Sequence, residues 1–179
     1  MIKVLALDLE GTLINSIYNP MPRPHLYKFL EFCFKNIPQT VLFTAASYNE
    51  GVNKLNRLEA VGAAPMGTAD MPVVKWERHN NTTTFLPKNL QFVQKMFPEV
   101  KLHEIFLVDD IEGFVALGQQ DQYIPILSFQ GSQATVHDTE LLRIKDILVD
   151  ILAGDWSVTR RGYRGFDVPI IGDKMEDKQ

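Results

Sequence analysis

Two carboxylates stand one residue apart near the start of the chain, in the segment 8–12, which reads Asp-Leu-Glu-Gly-Thr. Gly11 permits a tight curl of the backbone, which would present Asp8 and Glu10 to one site. In such a pair, one carboxylate can attack phosphorus and the other can move a proton. The apolar run that precedes Asp8 predicts a buried strand. Two carboxylates directly after such a strand indicate a functional site more specifically than the residue pattern does by itself.

A second carboxylate pair, Asp109-Asp110, follows the apolar run 105–108. Adjacent carboxylates at the end of a buried strand repel each other unless they share a cation. Hard oxygen ligands close to two further carboxylates suit Mg²⁺, which binds through a few carboxylates, waters and a substrate phosphate. The pair therefore predicts a magnesium site, although a solvated loop or a helix cap would also place two acidic residues here.

A phosphate ester needs a local positive centre in this acidic chain, which has a formal net charge of -4 and a pI of about 5.5. Lys75 and Lys88 stand in and just after an irregular stretch, and either could neutralise a phosphoryl oxygen. The residues alone do not choose between them. Thr44 ends the apolar run 41–43, where its hydroxyl could bind a phosphoryl oxygen, although threonine is common at strand ends.

Short apolar runs alternate with helical periodicities along the chain, and these elements would position the polar residues. The predicted strands span residues 2–7, 40–44, 105–108 and 124–127. The predicted helices span residues 25–37, 48–61, 87–97 and 141–152. Ser47 and Glu50 have the spacing of a capping box, and Pro87 suits the first turn of a helix. Buried strands that alternate with helices indicate a three-layer α/β fold with a mostly parallel sheet, whose ligands bind beyond the carboxyl ends of the strands.

The chain reads as one domain over residues 1–153, followed by a tail at 154–179. Residues 63–86 are the least regular part of that domain, and they predict a small insertion near the site rather than a large cap domain. Within the insertion, residues 73–76 and 82–86 could pair as a hairpin. Trp156 and other apolar residues of the tail suggest that part of it docks on the body or on another subunit.

Residues 2–152 resemble the haloacid dehalogenase (HAD) superfamily, and more narrowly its NLI-interacting-factor-like branch, which includes phosphatases of the RNA polymerase C-terminal domain. The resemblance starts from the first carboxylate motif and includes the Arg-Pro segment at 23–30, the Thr-Ala segment at 44–47, the lysine segment at 85–90 and the Asp-Asp pair. It implies a Rossmann-like HAD fold, and it favours Lys88 over Lys75.

The resemblance implies a two-step phosphoryl transfer. Asp8 would form an aspartyl-phosphate, while Glu10 would protonate the leaving oxygen and then activate water. Mg²⁺ would be held by Asp8, by the backbone carbonyl of Glu10 and by the Asp109-Asp110 pair. Within that pair the resemblance favours Asp110 as the direct ligand, with Asp109 orienting it or binding through water.

The resemblance also implies which residues hold the phosphoryl group, namely Thr44, its neighbour Ala45, and Lys88. Two departures from the branch are visible. It usually has Asp at the position of Glu10, although enolase-phosphatases of the same superfamily carry Asp-x-Glu-Gly-Thr. The longer side chain of Glu10 changes the placement of the acid/base. The polymerase phosphatases also tend to have Asp-Asn where this chain has two aspartates.

The expected function is a Mg²⁺-dependent phosphatase acting on a phosphorylated protein or a small phosphate ester. A catalytically weak adaptor on the same fold is the main alternative, and phosphoryl transfer between sugars is a third, although it usually needs a larger cap. Composition excludes a basic nucleic-acid footprint, and no apolar run approaches the ~20 residues of a membrane span. Cys33 is the single cysteine, so an intramolecular disulfide is excluded. We expect a soluble, cytoplasmic protein. A homo-oligomer would also fit, because a second subunit could cover the site around a small ester.

Overall fold

The computed structural model describes residues 1–16, 18, 20–74, 87–131 and 137–163. Lys75 lies outside these residues, as does most of the hairpin predicted between 73–76 and 82–86. The tail beyond residue 163 also lies outside them. The division into a domain at 1–153 and a separate tail stays a prediction.

Four short parallel strands form one sheet in the described chain, in the order β2-β1-β3-β4. Their bounds are β1 Val4–Leu7, β2 Gln39–Leu42, β3 Ile105–Asp109 and β4 Tyr123–Pro125. In the centre of the sheet, Leu5 of β1 lies opposite Thr40 of β2 and Phe106 of β3. The strands are apolar almost throughout because both faces of a parallel sheet are covered. All four strands and their parallel pairing agree with the prediction.

Four helices accompany the strands: α1 Leu26–Asn36, α2 Tyr48–Ala60, α3 Gln91–Met96 and α4 Glu140–Leu152. The capping box at the start of α2 is present, since the Ser47 hydroxyl accepts from the Glu50 N–H and the Ser47 N–H donates to the Glu50 carboxylate. The predicted start of the third helix at Pro87 is wrong, because Lys88 forms a β-bridge with Val115 and the helix begins only at Gln91. No helix in the described part of the chain is long and apolar enough to cross a membrane. The expected cytoplasmic location stays a prediction.

Alternate side chains of each strand enter two separate cores, one on each face of the sheet. On β1, Leu5 and Leu7 join the core that contains residues of α1 and α4, whereas Val4 and Ala6 join the core that contains Val93 of α3. This alternation follows from the two-residue period of a strand. The molecule therefore has helix, sheet and helix layers, which confirms the predicted three-layer α/β fold.

Beyond α4, the chain packs against the body of the domain over residues 155–163, here called the C-terminal segment. Val158 is 8% exposed and belongs to the core between the sheet and α4. The Trp156 ring lies edge-on to Phe106 of β3, with 6.0 Å between the ring centroids. This part of the tail is therefore docked on the same chain.

Candidate active site

Three neighbouring strands deliver polar residues to one edge of the sheet. Asp8 follows β1, Thr44 lies two residues after β2, and Asp109 ends β3. The Asp8 N–H donates to the carbonyl of Val108 at 3.0 Å, which continues the pairing of β1 with β3 past the last residue of β1. Because the strands are parallel, all three side chains lie at their carboxyl ends, where α/β sheets bind ligands.

Lys88 forms the centre of a buried charged cluster at this edge. Its ammonium group donates to Asp8 Oδ1 at 2.6 Å and to Asp109 Oδ2. The three residues are only 1–6% exposed, and charges buried to this extent require partners. Although burial opposes the charged form, the negative charges of Asp8 and Asp109 raise the pKa of Lys88. The structure therefore keeps a fixed positive charge beside the predicted nucleophile.

The irregular loop that carries Lys88 is fixed by hydrogen bonds. The Lys88 N–H donates to the carbonyl of Phe114. Two residues later, the Leu90 N–H donates to the Gln119 side-chain carbonyl at 2.8 Å, and the Gln119 amide donates to Asn89 Oδ1 at the same distance. Gln119 is 5% exposed, and the sequence analysis did not identify it. Its partners lie about thirty residues away, and no periodic pattern reports such a contact.

Three carboxylates at the same edge could hold a metal ion. Asp8, Asp109 and Asp110 each offer an oxygen, and the three oxygens lie within 4.8 Å of one another. Burial raises the pKa of both Asp109 and Asp110, as expected for carboxylates whose charge is poorly solvated. An oxygen-only ligand set of this kind fits Mg²⁺.

The two adjacent aspartates differ in how their oxygens are used. Asp109 Oδ2 accepts from Lys88, and its Oδ1 accepts from the N–H of Ile111 at 2.8 Å. By contrast, Asp110 Oδ1 is buried and has no hydrogen-bond partner in the described part of the chain. Buried polar atoms are nearly always paired, so this oxygen is the one that a cation would satisfy. The carboxylates therefore fit a metal ion, to which Asp110 offers an oxygen without a partner, whereas both oxygens of Asp109 accept hydrogen bonds.

The turn after Asp8 is shaped around Asp110. Gly11 has a φ of +77°, in the left-handed region, and a Cβ atom at this position would overlap Asp110 Oδ2 and lie 2.9 Å from Ser128 Oγ. Glycine is therefore needed both for the turn and for the close approach of Asp110. Glu10 is half-buried in the same turn, two residues beyond Asp8. Its role as acid/base stays a prediction.

The second predicted motif lies at the end of β2. Thr44 is 3% exposed, and its hydroxyl oxygen accepts from the N–H of Ala46 at 3.3 Å. Ala45 is half-buried beside it. The structure thus places both residues at the edge that carries Asp8. Their part in holding a phosphoryl group stays a prediction.

Arg23 holds the turn that follows Asp8, a contact that the sequence did not predict. This arginine is 2% exposed and donates from one nitrogen to the carbonyls of Gly11 and Thr12, both at 3.1 Å. Its other nitrogens bind the Asp138 carboxylate at 2.8–3.1 Å and the Leu127 carbonyl at 2.6 Å. One planar guanidinium therefore ties the turn after β1 to the segment that follows β4.

Comparisons with known proteins agree with this geometry. The sequence matches the family model of the NLI interacting factor-like phosphatases over residues 3–158. No curated protein matches the sequence. Among solved structures, the fission yeast RNA polymerase II CTD phosphatase Fcp1, as a variant bound to beryllium fluoride, is similar, with 12% sequence identity and a TM-score of 0.59. The likeness covers 92% of this chain and 67% of that one, and at this identity it is evidence for the fold alone.

Proposed function

The chain belongs to the NLI interacting factor-like phosphatase family, and from this premise we propose that it hydrolyses phosphate monoesters with Mg²⁺ through a phosphoryl group carried on Asp8. It is a HAD-type phosphatase by family and by fold. The observation that carries the finer proposal is the buried contact of Lys88 with both Asp8 and Asp109. A binding scaffold has no need of a buried lysine between two carboxylates.

Asp8 is proposed as the nucleophile. Its Oδ1 is held by the Lys88 ammonium, which orients the carboxylate and supports Oδ2 as the attacking atom. In the first step, a bond forms from Asp8 to phosphorus as the bond to the leaving oxygen breaks, and Glu10 gives a proton to that oxygen. In the second step, Glu10 takes a proton from water, the water oxygen attacks phosphorus, and phosphate leaves Asp8.

The proposed metal ligands are Asp8, the backbone carbonyl of Glu10 and Asp110. The buried, unpartnered Oδ1 of Asp110 supports its assignment as a direct ligand. Asp109 uses one oxygen on Lys88 and the other on a backbone N–H, so it is proposed to orient the lysine. Bound there, Mg²⁺ would offset the negative charge that the carboxylates and the phosphoryl group bring together. Thr44 and Ala45 are proposed to bind phosphoryl oxygens, together with Lys88.

A phosphorylated protein is the proposed substrate class. Exposed apolar side chains follow β1, β2 and β3 at the catalytic edge: Tyr18 is 90% exposed, Met21 47%, Tyr48 at the start of α2 56% and Ile111 45%. Exposed apolar residues around a polar site suit a polypeptide partner better than a small ester, which needs an enclosed cavity. Fcp1, whose structure is similar, is a phosphatase of the RNA polymerase II CTD, which is consistent with such a substrate. Oligomeric state and cytoplasmic location stay predictions.

The deciding experiment is the hydrolysis of p-nitrophenyl phosphate with and without Mg²⁺. We expect Mg²⁺-dependent turnover that falls by at least about a thousandfold in Asp8→Asn, because the amide cannot act as the nucleophile. Asp121→Asn is the matched control, since Asp121 is exposed and lies outside the catalytic edge. Wild-type turnover no higher than that of Asp8→Asn would refute the phosphatase proposal and favour the adaptor.

A second comparison tests the substrate class. Tyr48→Ala should raise the KM for a phosphoserine peptide and leave the KM for p-nitrophenyl phosphate unchanged, because only the peptide reaches the start of α2. An equal effect of Tyr48→Ala on both substrates would contradict the phosphoprotein assignment and favour a small ester.

A further inference from the structure

An ion pair joins the C-terminal segment to the loop that follows the two aspartates. Arg160 contacts the carboxylate of Glu112, and their side chains are 43% and 15% exposed. Arg160 lies beyond residue 158, where the match to the family model ends. The contact therefore brings a residue from outside the matched elements to the catalytic edge of the sheet.

Glu112 begins a short 3-10 turn, Glu112–Phe114, and both the turn and the residue before it contact the buried cluster. The carbonyl of Phe114 accepts the N–H of Lys88. The N–H of Ile111, directly before the turn, donates to Asp109 Oδ1 at 2.8 Å. A shift of the turn would therefore move the backbone of Lys88 and release one oxygen of Asp109.

The C-terminal segment is itself anchored to α4 through Arg143. Arg143 of α4 donates to the carbonyl of Arg161 at 3.0 Å and to the carbonyl of Pro125 in β4 at 2.6 Å. Its guanidinium carbon also lies 5.8 Å from the centroid of the Tyr163 ring. With Val158 in the core, the segment is fixed on both sides of Arg160.

We propose that Arg160 is a positioning residue of the phosphatase site, which fixes the Glu112–Phe114 turn and thereby the placement of Lys88 beside Asp8. The inference rests on the proposed function, although Arg160 itself would touch neither substrate nor metal. Since the ion pair is partly exposed and screened by solvent, its loss is expected to change rates by only about two- to fivefold.

The test compares two arginines of the same segment. Arg160→Ala should lower the kcat for p-nitrophenyl phosphate by about two- to fivefold and leave KM unchanged, whereas Arg160→Lys should restore most of the loss. Arg161→Ala is the matched control, because Arg161 pairs with Asp150 of α4 and not with the turn. Glu112→Gln should reproduce Arg160→Ala, and the double variant should be no slower than either single one.

A second readout does not need turnover. Hydrogen exchange at the Lys88 amide, which donates to Phe114 in the turn, should be faster in Arg160→Ala than in Arg161→Ala. The same Lys88 exchange rate and the same kcat in both variants would overturn the inference. If wild-type protein has no turnover, the proposed function fails by itself, and the exchange measurement still decides whether Arg160 positions Lys88.

Discussion

Replacing Arg23 with alanine tests how the first catalytic turn is held. The substitution removes donors from the carbonyls of Gly11, Thr12 and Leu127 and from the carboxylate of Asp138. The Asp138 side chain is only 10% exposed, and in the described part of the chain it would keep the N–H of Glu140 as a donor. The variant would therefore contain a largely desolvated carboxylate without its ion-pair partner, together with three carbonyls that have each lost one donor, although the Gly11 carbonyl would keep the N–H of Phe129.

The expected cost is large compared with that of an exposed ion pair. Removing one partner of a buried pair costs about 3–5 kcal/mol in free energy of unfolding, because the other charge remains buried. For the partly exposed pair of Arg161 with Asp150, loss of the arginine should cost below about 1 kcal/mol. A double replacement, Arg23→Met with Asp138→Leu, removes both charges together and should cost clearly less than Arg23→Ala alone.

Urea unfolding followed by tryptophan fluorescence measures these differences. With an m-value of about 2 kcal/mol per molar urea, a loss of about 4 kcal/mol lowers the unfolding midpoint by about 2 M. Phosphatase activity should be assayed at a low temperature, where the variant remains folded. There, turnover should still be reduced, because the turn that carries Asp8 and Glu10 loses its clamp.

A small effect would refute this reasoning. If Arg23→Ala lowered the free energy of unfolding by less than about 1 kcal/mol, as expected for Arg161→Ala, the buried guanidinium would contribute no more to stability than an exposed one. If stability fell but turnover in the folded variant stayed at the wild-type level, the clamp would serve the fold without positioning the catalytic turn.

Three further predictions follow from separate contacts. Asp110→Asn should weaken Mg²⁺ binding by at least about tenfold in calorimetry, and by more than Asp109→Asn does, because Oδ1 of Asp110 is buried without a partner whereas both oxygens of Asp109 accept hydrogen bonds; equal losses in the two variants would contradict this assignment. Ser47→Ala should cost about 1 kcal/mol in urea unfolding, because the Ser47 hydroxyl no longer accepts from the Glu50 N–H or donates to the Glu50 carboxylate; an unchanged midpoint would contradict this. Burial raises the pKa of the Cys33 thiol, so the folded protein should keep it protonated and resist thiol reagents at about pH 8, and react only in denaturant; rapid labelling of the folded protein would be inconsistent with the buried position. Because the pKa of the Cys33 thiol is higher in the folded state, the unfolded chain releases this proton at lower pH. Alkaline pH therefore lowers the free energy of unfolding.

The strands and the edge that carries the site were predictable because the relevant signals are local. A buried parallel strand has a continuous apolar run, and the polar residue that ends such a run stands at the edge of the sheet. Asp8, Thr44 and Asp109 were identified in this way, and the structure places all three at that edge. The capping box at Ser47 is also a local signal, and it was read correctly.

Long-range contacts could not be predicted by the same reasoning. Arg23 and Asp138 are 115 residues apart. No periodic pattern in the sequence indicates that the two residues are in contact. The third helix was predicted to begin too early in the chain, because proline suits a loop as well as it suits the first turn of a helix. In the structure, Lys88 is instead drawn into a β-bridge with Val115. The choice between two lysines likewise depended on family resemblance, since a buried partner is invisible in sequence.

The strand order has a consequence for synthesis of the chain. β1 pairs with β2 soon after both are made, but its other neighbour is β3, which begins about sixty residues after the end of β2. Until β3 arrives, the inner edge of β1 is an open, apolar strand edge, the kind that pairs with other chains. Nascent chains should therefore be most vulnerable to aggregation during this interval. Fragments that end before β3 lack the central pairing of the sheet and two of the three clustered carboxylates, so the protein acquires stability and its site in the same late event.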